Sequence, residues 1–223
     1  MRVLGIDAAL ACCSAAVLDT GPDARVLARS SRPGDRGHSA VLAGMVAEVL
    51  AGAGLAAGAL DGVAVTVGPG SFTGLRAALS LGHGLALAAG IPIVGVTVAE
   101  ALAAAATDLG GRDLWVATGS RRDRVFLCRD GVLTAWELAA LPAAVGRVAV
   151  AGDAANEVAA RLLARGGDVK LSGLRLPDPA CVAAVGARRL AGLLPPLKAM
   201  PLYVDEPMAR LPAGGLRTAP LDG

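Results

Sequence analysis

The sequence predicts an α/β fold that is duplicated within one chain. Two successive parts of the chain each open with three short apolar segments bounded by turn residues, which are typical of antiparallel strands. In each part, segments of helical and strand period then alternate, so that the order is strand, strand, strand, helix, strand, helix. A chain of 223 residues can bury a core in such units without disulfides or metals.

The elements of the first part follow from the apolar period. The predicted strands are 2–7, 12–18, 25–30, 60–67 and 91–96. The predicted helices are 39–53, with Ser39 as its cap, 73–89 and 98–106. This part is the predicted N-terminal subdomain, residues 1–106.

The second part repeats the plan. The predicted strands are 114–118, 124–129, 133–137, 147–151 and 169–171, and the predicted helices are 154–165 and 179–194, with a short helical piece at 137–141. Asp130 and Gly131 form a strong two-residue hairpin signal. We expect a C-terminal subdomain over 107–200 and a Pro-rich tail over 201–223. Two βββαβα units in tandem are typical of the duplicated ribonuclease-H-like fold of actin, hexokinase and Hsp70, the ASKHA class.

The composition excludes several classes of protein. Apolar residues make up 54% and charged residues 18%, which predicts a compact fold rather than disorder. A net charge of +2 with two Trp, one Tyr and two Phe argues against a large nucleic-acid-binding surface on this chain.

The four cysteines form no C-x-x-C pair, and no secretion signal is visible, so we expect a cytoplasmic protein. The Ala-rich stretch 75–98 is interrupted by Arg76 and Pro92, so we expect no membrane contact.

The loop at 68–76, with the sequence GPGSFTGLR, joins a buried strand to a helix, where free backbone N–H groups could bind an anion. It lacks the spacing and the lysine of a P-loop, so the alternative to an anion site is a simple tight turn.

Asp7 closes the first strand, where proteins of this fold class place an acid that holds a metal-bound nucleotide. The alternative role for Asp7 is to cap a turn. The predicted vestigial nucleotide- or anion-binding residues are Asp7, Gly68, Gly70, Ser71, Thr73 and Gly74.

No catalytic group or metal site is predicted in this chain. His38 begins the first helix, but the position one turn later is Leu42, so a metal-binding histidine pair is absent. His83 lies far along the chain, and neither histidine has a nucleophile motif around it. We therefore expect no catalytic residue, no metal ligand and no cofactor in this chain.

The segment 68–76 resembles the signature of the TsaB (YeaZ) family. Further matches are VLGID at 3–7, HSAVL at 38–42, IPIVGV at 91–96 and PLYV at 201–204. The chain departs from the family pattern at Ala8 and Ala9, where Thr and Ser are common. It departs again at 119–126, which reads GSRRDRVF where an acidic, Tyr-rich start is usual, and at Asp205 and Glu206, where a basic residue is common.

The resemblance implies a non-catalytic subunit in tRNA modification. Its partner would be the catalytic subunit TsaD, with the ATPase TsaE as a third member, and the complex would transfer threonylcarbamoyl to the adenosine 3′ of the anticodon. ATP and metal are then expected on the partner subunits, tRNA contact only within the complex, and a homodimer in isolation. Arg121, Arg122 and Arg124 could contact tRNA phosphates there, or form a solvated rim.

The first two helices have apolar arcs that one sheet face would not obviously cover, which predicts a partner interface. A large apolar side chain that stays in water loses the stabilisation of about 1.5 to 3 kcal/mol that its burial would contribute. The predicted interface residues are Leu42, Met45, Val46, Val49, Leu75, Ala78, Leu79, Gly82, Leu85 and Ala86. The alternative is that the monomer itself covers both helices. Two other functions remain open, an autonomous ATP-binding kinase-like enzyme and a metallopeptidase-like enzyme of the same fold class.

Overall fold

The computed structural model describes residues 1–34, 38–120, 123–202 and 204, with only the backbone for His38 and Ser39. Several predictions fall outside the described residues. These are the cap at Ser39, the side chain of His38, Arg121 and Arg122, Tyr203 of the PLYV match, and residues 205–223 of the predicted tail.

Every predicted strand and helix is present, in the predicted order. The strands are β1 (Arg2–Asp7), β2 (Cys12–Asp19), β3 (Arg25–Pro33), β4 (Gly62–Gly68), β5 (Ile93–Thr97), β6 (Asp113–Gly119), β7 (Arg124–Arg129), β8 (Val132–Glu137), β9 (Arg147–Ala151) and β10 (Asp168–Leu171). The helices are α1 (His38–Gly52), α2 (Phe72–Ala89), α3 (Val98–Ala105), α4 (Ala155–Ala164) and α5 (Pro179–Leu190), and 3-10 turns occupy Ala57–Ala59 and Leu138–Ala140. The helix predicted over 179–194 ends early, because Gly192 adopts a positive φ of 74° just beyond it.

The two sheets have the same topology, which confirms the predicted duplication. The first sheet has the order β3-β2-β1-β4-β5, and the second has the order β10-β9-β6-β7-β8, the same arrangement read from the other edge. In each sheet the three leading strands are antiparallel and the later ones join in parallel. The hairpin between β7 and β8 turns at Asp130 and Gly131, whose positive φ values of 51° and 76° are those of a type I′ turn.

The first sheet is covered on both faces. One face packs against α1 and α2 in the largest apolar cluster, and the other packs against α3 and α5. This explains why β4 is buried along its whole length and β1 from its second residue onward, as expected for parallel strands between two helical layers. On the second sheet, α4 packs against β6 and β9 over a separate cluster.

Helix α5 follows the second sheet in sequence but packs on the first, against β1 and β4. A methyl group at Gly186 would overlap the side chain of Ala64, so the missing side chain lets the helix sit close to the sheet. The buried guanidinium of Arg189 fixes the far end of α5. It donates to the carbonyl oxygen of Gly95 at 2.6 Å and to a carboxylate oxygen of Glu100 at 2.5 Å. The subdomain boundaries at 106/107 and 200/201 stay a prediction, since α5 belongs to one half by sequence and to the other by packing.

A further apolar cluster joins the two halves. Its buried members come from the first half and from β6 and β9 of the second, and they are Ala9, Leu10, Leu75, Val98, Leu102, Val116 and Ala151. Leu10 is 6% exposed and Leu102 fully buried, so water is excluded from this contact. None of the described helices combines the length and apolar character needed to cross a bilayer.

Candidate functional site

Asp7 lies buried at the end of β1, and its carboxylate is used inside the chain. Its Oδ1 accepts a hydrogen bond from the backbone N–H of Ala9 at 3.1 Å and another from the hydroxyl of Thr66 at 2.7 Å. The first bond closes the turn after β1, and the second joins the ends of the neighbouring strands β1 and β4. These bonds agree with the turn-capping alternative and leave the ligand role of Asp7 a prediction.

The loop 68–76 packs against the same turn. The N–H of Ser71 donates to the carbonyl oxygen of Ala9 at 2.6 Å, and a methyl group at Gly70 would overlap that oxygen, so only glycine fits this approach. The hydroxyl of Ser71 accepts from the N–H of Gly74 at 3.2 Å and caps α2. The structure therefore brings Asp7, Gly70 and Ser71 to one turn, while Thr73 lies exposed on the first turn of α2.

Buried alanine and leucine side chains follow Asp7 in this turn. Ala8 and Ala9 are fully buried, and Leu10 joins the cluster between the two halves. Phosphate cradles of strand-to-helix loops consist of backbone N–H groups that point at an open space. Here the N–H groups of Ser71 and Gly74 have acceptors within the chain, so these two donors are not available to an anion.

The corresponding junction of the second half, between β9 and α4, is open. A cavity of about 640 Å³ lies there at the carboxyl ends of β6 and β9. Its charged lining residues are Asp123, Arg124, Asp153, Glu157 and Arg161. Asp153 accepts a hydrogen bond from the N–H of Gly119 at 2.9 Å, and Arg124 forms an ion pair with Glu137 at 3.0 Å. The two halves thus share a topology and differ in the side chains at this junction, where the first half has buried Ala8, Ala9 and Leu10 and the second has charges of both signs.

The thiols lack the features of nucleophiles. Burial raises the pKa of Cys12 and Cys13 above the ordinary thiol value; the nearby Asp7 carboxylate adds to the shift of Cys12, whereas the Arg32 guanidinium offsets part of the shift of Cys13. Burial also raises the pKa of Cys128 and Cys181. Reactive cysteines have a lowered pKa, so these four remain protonated near neutral pH. Within the described part of the chain, no group of three or more His, Cys, Asp or Glu side chains could hold a metal ion.

The predicted interface side chains lie in the chain's own core, which corrects that prediction. Leu85 is half-buried, and the other nine are buried: Leu42, Met45, Val46, Val49, Leu75, Ala78, Leu79, Gly82 and Ala86. The arcs are covered from several sides, because α1 and α2 pack on the first sheet and on each other. Leu197, Ala199 and Leu202, which follow α5, add to the same cluster. Gly82 faces the strands, where an added methyl group would lie 2.6 Å from the Val65 side chain.

The opposite faces of α1 and α2 are exposed. From Ala40 onward the exposed residues of α1 are all small apart from Glu48, and they are Ala40, Ala43, Gly44, Ala47, Ala51 and Gly52. On α2 an exposed stripe runs through Phe72, Arg76, Ser80, His83 and Leu87, which fall within an arc of about 80° at 100° per residue. Leu87 is 86% exposed and Phe72 is 59% exposed. We call these residues of the two helices, together with the neighbouring exposed Gly84 of α2, the outer face.

Sequence reasoning missed Phe72, Arg76 and Leu87 as surface residues. A signal for Leu87 exists in the sequence, because it lies outside the apolar arc that runs through Leu75, Ala78 and Ala86. A large aliphatic side chain outside such an arc has no place in the core that the arc forms.

A family model described as TsaD, tRNA N6-adenosine threonylcarbamoyltransferase, matches residues 32–172, more than half of the 223-residue chain. The chain belongs to this family. The tRNA N6-adenosine threonylcarbamoyltransferase of Maricaulis maris is 48% identical over 65 residues, which are 29% of this chain and 17% of that protein. TsaB, the tRNA threonylcarbamoyladenosine biosynthesis protein of Haemophilus influenzae, is 32% identical over 109 residues, 49% of this chain and 44% of TsaB. The matched part thus spans less than half the length of these curated relatives of the TsaD family.

The solved structure of YeaZ from Pseudomonas aeruginosa has the same fold. It superimposes with a TM-score of 0.72 and 25% sequence identity, over 91% of this chain and 99% of that one. The predicted resemblance to the TsaB (YeaZ) family is confirmed by these matches, as is the predicted fold class.

Proposed function

We propose that this chain takes part in tRNA threonylcarbamoyladenosine biosynthesis as a non-catalytic partner subunit that stabilises or activates a TsaD-type catalytic subunit. Membership of the TsaD family and the similarity to TsaB support the process. The outer face of α1 and α2 supports the role of a partner. A cytoplasmic location, where tRNA is modified, is part of the proposal.

The observation that carries the partner role is the composition of the outer face. Ala43, Gly44 and Ala47 on α1 and Gly84 on α2 are small and exposed, and small residues let another helix approach closely. Added methyl groups at Gly44 and Gly84 would meet no atom within 4 Å, so there is room for an incoming helix. Leu87 projects from this face at 86% exposure, where burial by a partner would stabilise a complex.

The turn after β1 supports the non-catalytic part of the proposal. The carboxylate of Asp7 accepts from Ala9 and Thr66, and the donors of Ser71 and Gly74 are used within the chain. A metal-bound nucleotide held there would compete with these bonds. We therefore place ATP and metal on the partner subunits, which on this proposal include a TsaE-type ATPase.

Two further features belong to the same proposal. An exposed apolar face favours self-association when its partner is absent, so we expect a homodimer of the isolated chain through the outer face. Contact with tRNA is expected only within the assembled complex, because the chain's net charge of +2 gives it a small electrostatic footprint of its own.

The outer face is tested with Leu87→Glu. We expect this variant to weaken binding to the TsaD-type protein of the same organism by at least tenfold, because a carboxylate would be buried at the contact. Leu163→Glu is the matched control, since Leu163 is 53% exposed on α4 and lies outside the outer face. Calorimetric titration of each variant with the partner measures the difference. Equal affinities for the two variants would show that the partner docks elsewhere.

The process itself is tested by reconstitution. Purified TsaD-type and TsaE-type proteins should modify tRNA when this chain is present and lose most of that activity when it is left out. Modification that is independent of the chain contradicts the proposal. Micromolar binding of Mg-ATP by the chain alone, lost in Asp7→Asn, would support the kinase-like alternative instead.

A further inference from the structure

Phe72 and Arg76 form a stacked pair at the start of the exposed stripe of α2. They are one helical turn apart, and the guanidinium carbon of Arg76 lies 3.8 Å from the centre of the Phe72 ring. The ring is 59% exposed, and Arg76 is exposed too. A guanidinium over an aromatic ring at this distance is a cation–π pair.

Three of the five exposed arginines described in the first half pair with a carboxylate, and Arg25 and Arg76 are the other two. Arg2 pairs with Asp19, Arg29 with Asp178 and Arg32 with Glu48, each at 3.4 to 3.8 Å. For Arg76, no carboxylate among residues 1–34, 38–120, 123–202 and 204 lies within 4.0 Å. Its contact in this part of the chain is the Phe72 ring.

Stacking leaves the hydrogen-bonding edge of the guanidinium available. The ring occupies one flat face, whereas the N–H donors point outward in the plane of the group. The stack also restricts the long side chain, so less freedom is lost when the donors bind an acceptor. A carboxylate matches the spacing of two parallel N–H donors and is the complement of this group.

The position of the pair indicates which molecule supplies the carboxylate. Phe72 and Arg76 continue the stripe of Ser80, His83 and Leu87 on the outer face. Apart from the histidines, the sequences of α1 and α2 contain Glu48 and Arg76 as their charged residues, and Arg32 of β3 already pairs with Glu48, so Arg76 is the one fixed cation that these two helices contribute. Binding to a nucleic-acid backbone depends on several cations acting together, and one does not supply it. A protein partner with one acid at this point fits the surface.

We propose that the Phe72–Arg76 pair is a receptor for a carboxylate side chain of the TsaD-type partner and sets the register of that partner along α2. This inference rests on the proposed function. The aromatic ring and guanidinium form the polar anchor at the amino end of α2, and Leu87 forms the apolar anchor near its carboxyl end. Two anchors of different chemistry, about four turns apart, admit a partner helix in one direction only.

The test uses the full chain and the TsaD-type protein in calorimetric titrations at low and high salt, first without tRNA and then with tRNA added. We expect Arg76→Glu to weaken binding at least tenfold, because it sets a carboxylate against a carboxylate. Arg76→Lys keeps the charge but loses the two parallel N–H donors. Phe72→Ala keeps the arginine but removes the ring that restricts its side chain. Each should weaken binding by about three- to tenfold. A change of one partner Asp or Glu to Arg should restore binding to Arg76→Glu.

Arg188→Glu is the matched control, since Arg188 is an exposed arginine on α5, on the other face of the first sheet. If Arg76→Glu binds as well as Arg188→Glu while Leu87→Glu binds weakly, the carboxylate receptor is wrong and the docking surface stands. If Leu87→Glu also binds normally, the docking surface itself fails. An effect of Arg76→Glu that arises only when tRNA is added would assign the guanidinium to a phosphate and overturn the inference. Thermal melts of the free variants check that each is folded.

Discussion

Asp7 lies at the end of the first strand, and its side chain forms hydrogen bonds that stabilise the fold. The carboxylate is buried, and burial of a charge is tolerated only when hydrogen bonds stabilise it. Thr66 supplies one of these bonds from the neighbouring strand, at 2.7 Å. Removal of its hydroxyl would leave a buried carboxylate with fewer donors, so the bond should contribute measurably to the stability of the fold.

Thr66→Val tests this role of Asp7, because valine has the same shape as threonine without the hydroxyl. We expect the free energy of unfolding to fall by about 1 to 3 kcal/mol, the cost of an unsatisfied buried polar group. Thr73→Val is the same change at an exposed position and should stay within about 0.5 kcal/mol of the parent. Urea denaturation without nucleotide measures both. A Thr66→Val variant as stable as Thr73→Val would mean that Asp7 does not depend on this bond.

Individual side-chain partners were the hardest feature to predict from the sequence. The turn at Asp130 and Gly131 could be predicted, because a local dipeptide determines it. The anchoring of Arg189 could not, since its acceptors Gly95 and Glu100 lie 94 and 89 positions earlier in the chain. No local pattern relates residues so far apart, and the sequence of α5 reads as an ordinary helix with basic residues in its last turn.

At the scale of elements, the apolar period predicted the residue ranges of α1 and α2 but not which of their faces is exposed to solvent. Both helices consist largely of Ala, Gly and Leu, so the contrast between their two sides is weak. The inner side of α2 is defined by packing on β4, where Gly82 approaches the sheet, and the outer side contains Gly84. Two glycines two positions apart therefore have opposite structural roles.

Gly82→Ala and Gly84→Ala separate the inner and outer sides of α2. An added methyl group at Gly82 would lie 2.6 Å from the Val65 side chain and 3.0 Å from that of Ile93, so we expect a loss of about 1 to 3 kcal/mol of stability. At Gly84 the methyl group meets no atom within 4 Å. Because alanine favours the helix, Gly84→Ala should gain about 0.5 to 1 kcal/mol. Thermal denaturation of both variants gives the two signs, and a stabilised Gly82→Ala would contradict the packing of α2.

At the scale of the whole molecule, the two halves are joined by more than a hinge. Leu75, Val98 and Leu102 of the first half pack with Val116 and Ala151 of the second in one apolar cluster. Helix α5 returns from the second half to the first sheet, where Arg189 anchors it. Enzymes of two lobes commonly close around a ligand by rotation about their interface. Here such rotation would expose buried leucine and valine, so the chain should behave as one rigid body that presents the outer face.

Leu102→Ala tests this union of the halves. Leu102 is fully buried on α3, and its truncation should cost about 2 to 5 kcal/mol. Both tryptophans, Trp115 and Trp136, lie in the second half, so their fluorescence follows that half while circular dichroism follows the whole chain. If the halves unfold as one unit, both signals should shift to the same lower urea concentration. Leu193→Ala, at a position 69% exposed, should shift neither. A tryptophan transition that stays in place while the dichroism becomes biphasic would show that the halves unfold separately and that the shared cluster does not couple them.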